Sequence, residues 1–272
     1  MRILTLFLAV GSLALMGSGC KQLKSRDQIN QGVTAFKGAQ YPEAVEHFKQ
    51  AVELDPGFVT ARLYLATAYM QQYVPGVDSP ENDQMAQASM DQFNKVLETD
   101  PKNTVAIASI ASLYLNQKKL DQAQQWYEKL AAVDSRDKTA YYSMGFIVWS
   151  KWYPALGAAR AKLGMRPEDP GPIKDKKVKE ELKAQYGPLI DSGLKDLDKS
   201  LEIDPEYDDA MAYENLLIRE RADLADTKAE YDHETKVADD WVQKVLDIKK
   251  VKEERKAKKA EGSGGIVAPE SK

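Results

Sequence analysis

The sequence predicts an all-α fold, an α-solenoid of about five helix–turn–helix units with insertions in the second and fourth. Three observations carry this. A helix ending recurs: "EAVEHFKQAVELDP" at 43–56 is echoed by "KVLETDP" (95–101), "KLAAVDS" (129–135) and "KSLEIDP" (199–205). Apolar residues before each ending fall three and four apart, the period of an amphipathic helix. Each predicted helix is about 12–15 residues, near the lower limit for an isolated helix in water. Such pairs bury their apolar faces only against neighbours of the same kind.

In the opening phrase, Ala44, Phe48 and Ala51 share one face, with Val45, Val52 and Leu54 interleaved. Pro42 and Glu43 suit a helix start, and Pro56 stops the helix after Leu54. Upstream, Gly32, Ala35 and Phe36 are again helically spaced, and the pattern breaks at Gly38. The second unit has Leu65, Ala66 and Tyr69, then Phe93, Val96 and Pro101. The third has Ile110, Ala111 and Tyr114, then Ala123, Tyr127 and Leu130, with Ser135 in place of the proline. The fourth has Met144, Gly145 and Val148, then Gly193, Leu197, Ser200 and Pro205. A degenerate fifth has Met211, Leu217 and Ile218, then Ala238, Val242 and Val245.

A small residue in the first helix (Gly32), then Ala44, Phe48, Ala51 and a closing Pro56, resemble the tetratricopeptide repeat. The resemblance implies a right-handed superhelix in which the first helix of each unit lines a concave groove. Units are expected at about 25–58, 59–103, 104–137, 138–207 and 208–250. Against a 34-residue repeat, the 45-residue step from Pro56 to Pro101 carries 11 extra residues and the 70-residue step from Ser135 to Pro205 carries 36. The first insertion, "YVPGVDSPEND" (73–83), reads as a loop. The second, about 154–187, reads as an irregular stretch around "RPEDPGPIKD" followed by a short charged helix. Long insertions in a solenoid map to loops on one face, often the binding face.

The first 20 residues stand apart. Arg2 precedes an apolar run of 14 residues, Ile3 to Met16, short for a hydrocarbon core of roughly 30 Å and suited to the h-region of an export signal. Gly17, Ser18 and Gly19 then lead to Cys20. This resembles the lipobox of bacterial lipoproteins, although Gly17 stands where Leu, Val or Ile is usual. The resemblance implies cleavage of 1–19, lipidation of Cys20, a tether at 20–24 and a place on the periplasmic face of the outer membrane, which Lys21 favours. An ordinary cleaved signal and an uncleaved anchor are the alternatives.

Composition narrows the function. The 272 residues are 43% hydrophobic and 29% charged, with a net charge of −4, which gives no global sign of nucleic-acid binding. One cysteine permits no intramolecular disulfide, and His47 and His233 lie too far apart to suggest a metal site. There is no phosphate loop, nucleophile elbow or metal-spaced histidine pair. No enzyme activity and no cofactor are therefore expected. Asp208, Asp209, Asp239 and Asp240 read as solvated carboxylates, and His47 as an exposed side chain.

The expected function is that of an envelope adaptor or assembly factor that takes a protein or peptide segment in the groove. A structural subunit of a secretion, pilus or outer-membrane assembly machine is the alternative. Candidate groove residues are Phe36, Leu63, Met70, Tyr142, Phe146 and Trp149. The helix "YYSMGFIVWSKWYP" carries two apolar stripes: Tyr141, Met144, Val148 and Trp152, and Tyr142, Phe146 and Trp149. Such a helix is buried or meets a ligand: either the 154–187 insertion covers it, or it is an aromatic peptide site. The carboxylate clamp of chaperone-binding relatives is not expected, because Ile29 and Val33 occupy two of its positions. The tail, 251–272, reads as charged and then disordered. Its basic part is either a solvated helix end or a contact for anionic lipid.

Overall fold

A computed structural model describes the backbone of residues 2–166 and 168–263 and the side chains of residues 19–166 and 168–258. Among the described residues the chain is all-helical: α1 (Arg2–Lys37), α2 (Tyr41–Leu54), α3 (Val59–Met70), α4 (Pro80–Thr99), α5 (Thr104–Asn116), α6 (Leu120–Val133), α7 (Lys138–Lys162), α8 (Lys176–Ile203), α9 (Asp208–Arg221), the 3-10 turn η1 (Ala222–Leu224) and α10 (Lys228–Ser263). They form two compact bodies, up to Lys129 and from Leu130 onward. No described helix is long and apolar enough to cross a membrane.

The recurring helix ending has a local cause. Asp55, Asp100 and Asp204 close α2, α4 and α8 with φ of −139°, −132° and −133°. Each precedes a proline, whose ring disfavours the helical conformation in the residue before it. At Ser135 no proline is present. There Asp134 accepts from the Arg136 amide at 3.0 Å, and Asp137 caps α7 through the Thr139 and Ala140 amides. An aspartate-based turn thus replaces the proline stop. The break after α1 lies one residue beyond the glycine: Ala39, at φ 58°, takes the left-handed conformation, as Lys118 does at 57° after α5.

In the N-terminal body, Ala44, Phe48 and Ala51 of α2 are fully buried. A Cβ on Gly32 would stand 2.5 Å from the Phe48 ring, so only glycine permits this helix approach. Small hydroxyls serve the same closeness. Ser25 donates to Ala51 O and Ser89 to Ala66 O, both at 2.8 Å. His47 is partly buried, with Nδ1 2.8 Å from Gln28 Oε1. This corrects the expectation of an exposed side chain, because α1 passes beside it.

The first insertion divides between a turn at 71–79 and extra residues at the start of α4, which Ser79 caps. Asn82 holds the turn. Its carboxamide accepts from Val74 N at 2.7 Å and donates to Val74 O and Val77 O at 2.9 and 2.8 Å. Asn82→Ala strands three backbone groups and is expected to cost about 1–3 kcal/mol. Hydrogen exchange should accelerate within 71–79. Unchanged protection there would show that the turn is held by other contacts.

In the C-terminal body the second insertion departs from expectation. No separate short helix forms. The extra residues lengthen α7 to 25 residues and α8 to 28, joined by the connection 163–175. The reason is a continued apolar seam: Trp152, Leu156, Leu182, Ile190 and Leu197 share one core with Ile173 and Met211. Gly145 and Gly193 let the helices meet, since a Cβ on either would reach Leu197 at 2.5 Å or Val148 at 2.7 Å. The connection is tied to η1. Ile173 N donates to Asp223 O at 2.9 Å, and buried Arg160 pairs with Asp223 while donating to Arg166 O and Asp169 O.

The last pair also differs in detail. Ala238 and Val245 pack on the core, as expected, but Val242 is exposed and Trp241 packs instead. The basic run of α10 is partly engaged: Lys252 contacts Glu206 O and Asp208, and Arg255 pairs with Glu206. These two residues thus form intramolecular ion pairs on a helix end that otherwise stays exposed, as expected. The rest of the tail, 264–272, lies outside the described residues.

Candidate functional site

The two stripes of α7 have different fates. Val148 and Trp152 are buried against α8, Met144 is buried as well, and Tyr141 is partly buried. Tyr186, in the lengthened part of α8, lies with its ring centroid 5.3 Å from Trp152. Tyr142, Phe146 and Trp149 lie on the other side, half-buried against α9. The lengthened α8 covers the first stripe, and α9 partly covers the second.

Tyr213 of α9 organises the second stripe. Its ring is 5.7 Å from Tyr142, 5.1 Å from Phe146 and 5.3 Å from Trp149, in edge-on contacts. Such geometry sets the positive ring edge on the negative ring face. Tyr207 extends the row beside Tyr142 at 5.2 Å. Tyr153 stacks on Trp149 at 5.0 Å and is 52% exposed. The result is a continuous aromatic face spanning α7 and α9. Sequence reading missed Tyr213 and Tyr153. Tyr153 was visible as the next i+4 step after Trp149, whereas Tyr213 had no local signal.

The remaining candidates lie in the N-terminal body. Leu63 and Met70, half-buried on α3, flank the Phe93 and Ala86 cluster. Phe36 packs on a separate cluster around Phe48 and meets Tyr41 edge-on at 5.3 Å. Cys20 is an exposed free thiol on α1. A cavity of about 770 Å³ lies beside the 71–79 turn, walled by Tyr73, Asp83, Gln87 and the α5–α6 turn at Asn116 and Gln117.

The aromatic face runs into a second cavity, of about 530 Å³, between the end of α7, the 163–175 connection, α9, η1 and the start of α10. Trp149 donates its indole N–H to Glu220 Oε1 at 3.0 Å. Burial pushes the Glu220 carboxyl up to about 7, against the lowering effect of that bond. Asp223 is likewise raised by burial, partly offset by Arg160. Beneath the face, Glu214 is raised to about 8, by burial first and by the charge of Asp198 second. Among the described residues, no group of three or more His, Cys, Asp or Glu side chains could hold a metal ion.

Comparison with known proteins adds the fold's kinship. Residues 81–144 match the family model described as tetratricopeptide repeat. The crystal structure of MamA protein is similar over 91% of this chain and 98% of that one, with a TM-score of 0.56 and 14% identity. MamA 41-end from Desulfovibrio magneticus RS-1 is similar over 84% and 96%, at a TM-score of 0.56 and 15% identity. A further crystal structure of MamA gives 84% and 96%, a TM-score of 0.52 and 16% identity. No curated protein matches the chain. At these identities the likeness is one of fold: the chain carries a tetratricopeptide repeat at 81–144, in an all-helical architecture that it shares with the MamA structures.

Proposed function

We propose that the chain is a protein-interaction adaptor of a bacterial cell envelope, lipid-anchored at Cys20, that takes a partner's peptide segment on the aromatic face of α7 and α9. The observation that carries this reading is the face itself. Tyr142, Phe146, Trp149, Tyr153 and Tyr213 form one unbroken row, partly buried against the core at four rings and exposed at Tyr153. Rigid aromatic anchors of this kind concentrate binding energy. The anchoring part rests on the first 20 residues and on where packing begins. Residues 19–24 are exposed, and Ser25 is the first buried side chain among the described ones. Residues 20–24, part of α1, thus stand exposed ahead of the packed core, which leaves room for an anchor at Cys20.

A photo-crosslinking residue at Tyr153, in living cells of the source organism, should trap one dominant partner. Trp149→Ala should weaken that adduct, with a binding loss above ~1 kcal/mol; because the indole also packs on Tyr213 and bonds Glu220, a moderate fall in melting temperature accompanies it. A large stability loss with an unchanged adduct would make Trp149 a core residue and end this reading. For the anchor, Cys20→Ala should move the protein from membrane to soluble fractions and remove palmitate labelling. Membrane retention of Cys20→Ala, with no label in the wild type, would refute lipidation.

A further inference from the structure

The cavity beside the aromatic face is unevenly charged. Four carboxylates (Glu168, Asp169, Glu220 and Asp223) and two guanidinium groups (Arg160 and Arg219) line it. Both cations already have acidic partners, Arg160 in Asp223 and Arg219 in Asp239. Arg166 stands beside Glu168 and Asp169. Among the described residues, Glu220 has no cation partner. Its Oε1 accepts from Trp149, and its buried Oε2 has no partner among the described residues.

We propose that this cavity receives a cationic side chain, lysine or arginine, of the segment that lies across the aromatic face. The proposal rests on the adaptor reading and specifies the partner's chemistry. A buried carboxyl oxygen without a partner is costly, and a cation is what would satisfy Glu220 Oε2. The terminal torsion of a glutamate is soft and roughly two-fold, so one oxygen can keep the indole bond while the other turns to the cation. Ordinary pocket volumes run from about 300 to 1,000 Å³, so 530 Å³ admits one long side chain. Its alkyl stem would lie on Leu156 and Met165, which line the same wall. The exposed ring of Tyr153, at the mouth, adds a cation–π surface. An anion would meet the surplus of carboxylates, and a neutral chain would leave Glu220 unpaired. The carboxyl of Glu220, held near neutrality by burial, would be drawn into its ionised form by the incoming charge.

The test uses the full-length protein and three capped pentapeptides, acetyl-Gly-Gly-X-Gly-Gly-amide, with lysine, norleucine or glutamate at X. Binding is followed through the NMR signal of the Trp149 indole N–H, assigned with Trp149→Phe. The lysine peptide should bind with a millimolar constant and the norleucine peptide at least tenfold more weakly. Glu220→Gln, which keeps an acceptor for the indole, should erase that preference. Tyr153→Ala should weaken the lysine peptide several-fold. Equal binding of lysine and norleucine, preference for glutamate, no saturable binding, or an unaltered preference in Glu220→Gln would each overturn the cationic pocket. The adaptor reading would survive any of these, since the crosslink at Tyr153 decides it separately.

Discussion

Asp223→Ala is expected to destabilise the C-terminal body by about 3–5 kcal/mol, the usual cost of removing one partner from a buried ion pair. The side chains of Arg160 and Asp223 are only 10% and 7% exposed. Arginine cannot shed its proton to escape burial. In the variant its guanidinium keeps the carbonyls of Arg166 and Asp169 but loses its counter-charge. It must either rely on weaker charges such as Asp169 or swing toward water and pull the 163–175 connection off η1. The same carboxylate faces Gly171, where an added Cβ would collide with Asp223 Oδ1, so that wall loosens as well. Asp223→Asn, which keeps shape and an acceptor, should fall between variant and wild type. Denaturant midpoints and hydrogen exchange across 163–175 measure both effects. By contrast, removing exposed Glu206, the partner of Arg255, should cost no more than about 1 kcal/mol. An Asp223→Ala loss as small as that would show the pair to be mechanically idle.

Glu214→Gln is expected to leave stability nearly unchanged at pH 5 and to raise it by about 3–5 kcal/mol at pH 9, at about 1.4 kcal/mol per unit of displacement. Glu214 is 4% exposed, and its Oε2 has no partner among the described residues. Burial, with the charge of Asp198 adding and Arg221 opposing, raises its carboxyl from 4.5 to about 8. A raised folded value means that the protonated form is the one the fold accepts. Its stabilising contribution is therefore complete below pH 4.5 and is lost as pH rises through 8. The wild type should weaken steadily over that window, and the glutamine variant less so. Glu220, raised to about 7, acts in the same direction and leaves a smaller residual slope. The double variant Glu214→Gln/Glu220→Gln should flatten it. Urea midpoints at pH 5, 7 and 9 decide the matter. Parallel pH profiles for wild type and Glu214→Gln would show that the carboxyl is solvated in solution.

How far the sequence could be read follows from the range of each interaction. Ala44, Phe48 and Ala51 were legible as one buried face because a helix repeats over three or four residues. Gly32 and Gly145 were legible only as small residues within the repeat pattern; the structure shows that a Cβ at either would collide with the partner helix. The stops at Asp55, Asp100 and Asp204 were legible because proline acts on its immediate neighbour. The course of the second insertion was not. Whether 154–187 looped out or continued two helices depended on Ile173, Leu182 and Ile190 finding Trp152 and Met211. No local pattern encodes that meeting. His47 was misread for the same reason, since Gln28 belongs to another helix.

The sequence by itself determined the all-helical class, the small residues where helices touch, the punctuation of the repeats and the aromatic richness of α7. These are set by contacts within one or two turns of chain. The tertiary structure decided which aromatic stripe was core and which packed only partly buried on α9, added Tyr213 as the hub, and built the acidic cavity at its end. Those features join residues far apart in sequence, 71 positions between Trp149 and Glu220 and 63 between Arg160 and Asp223. Only packing of whole helices brings such groups within bonding distance, and only there does burial alter their charge.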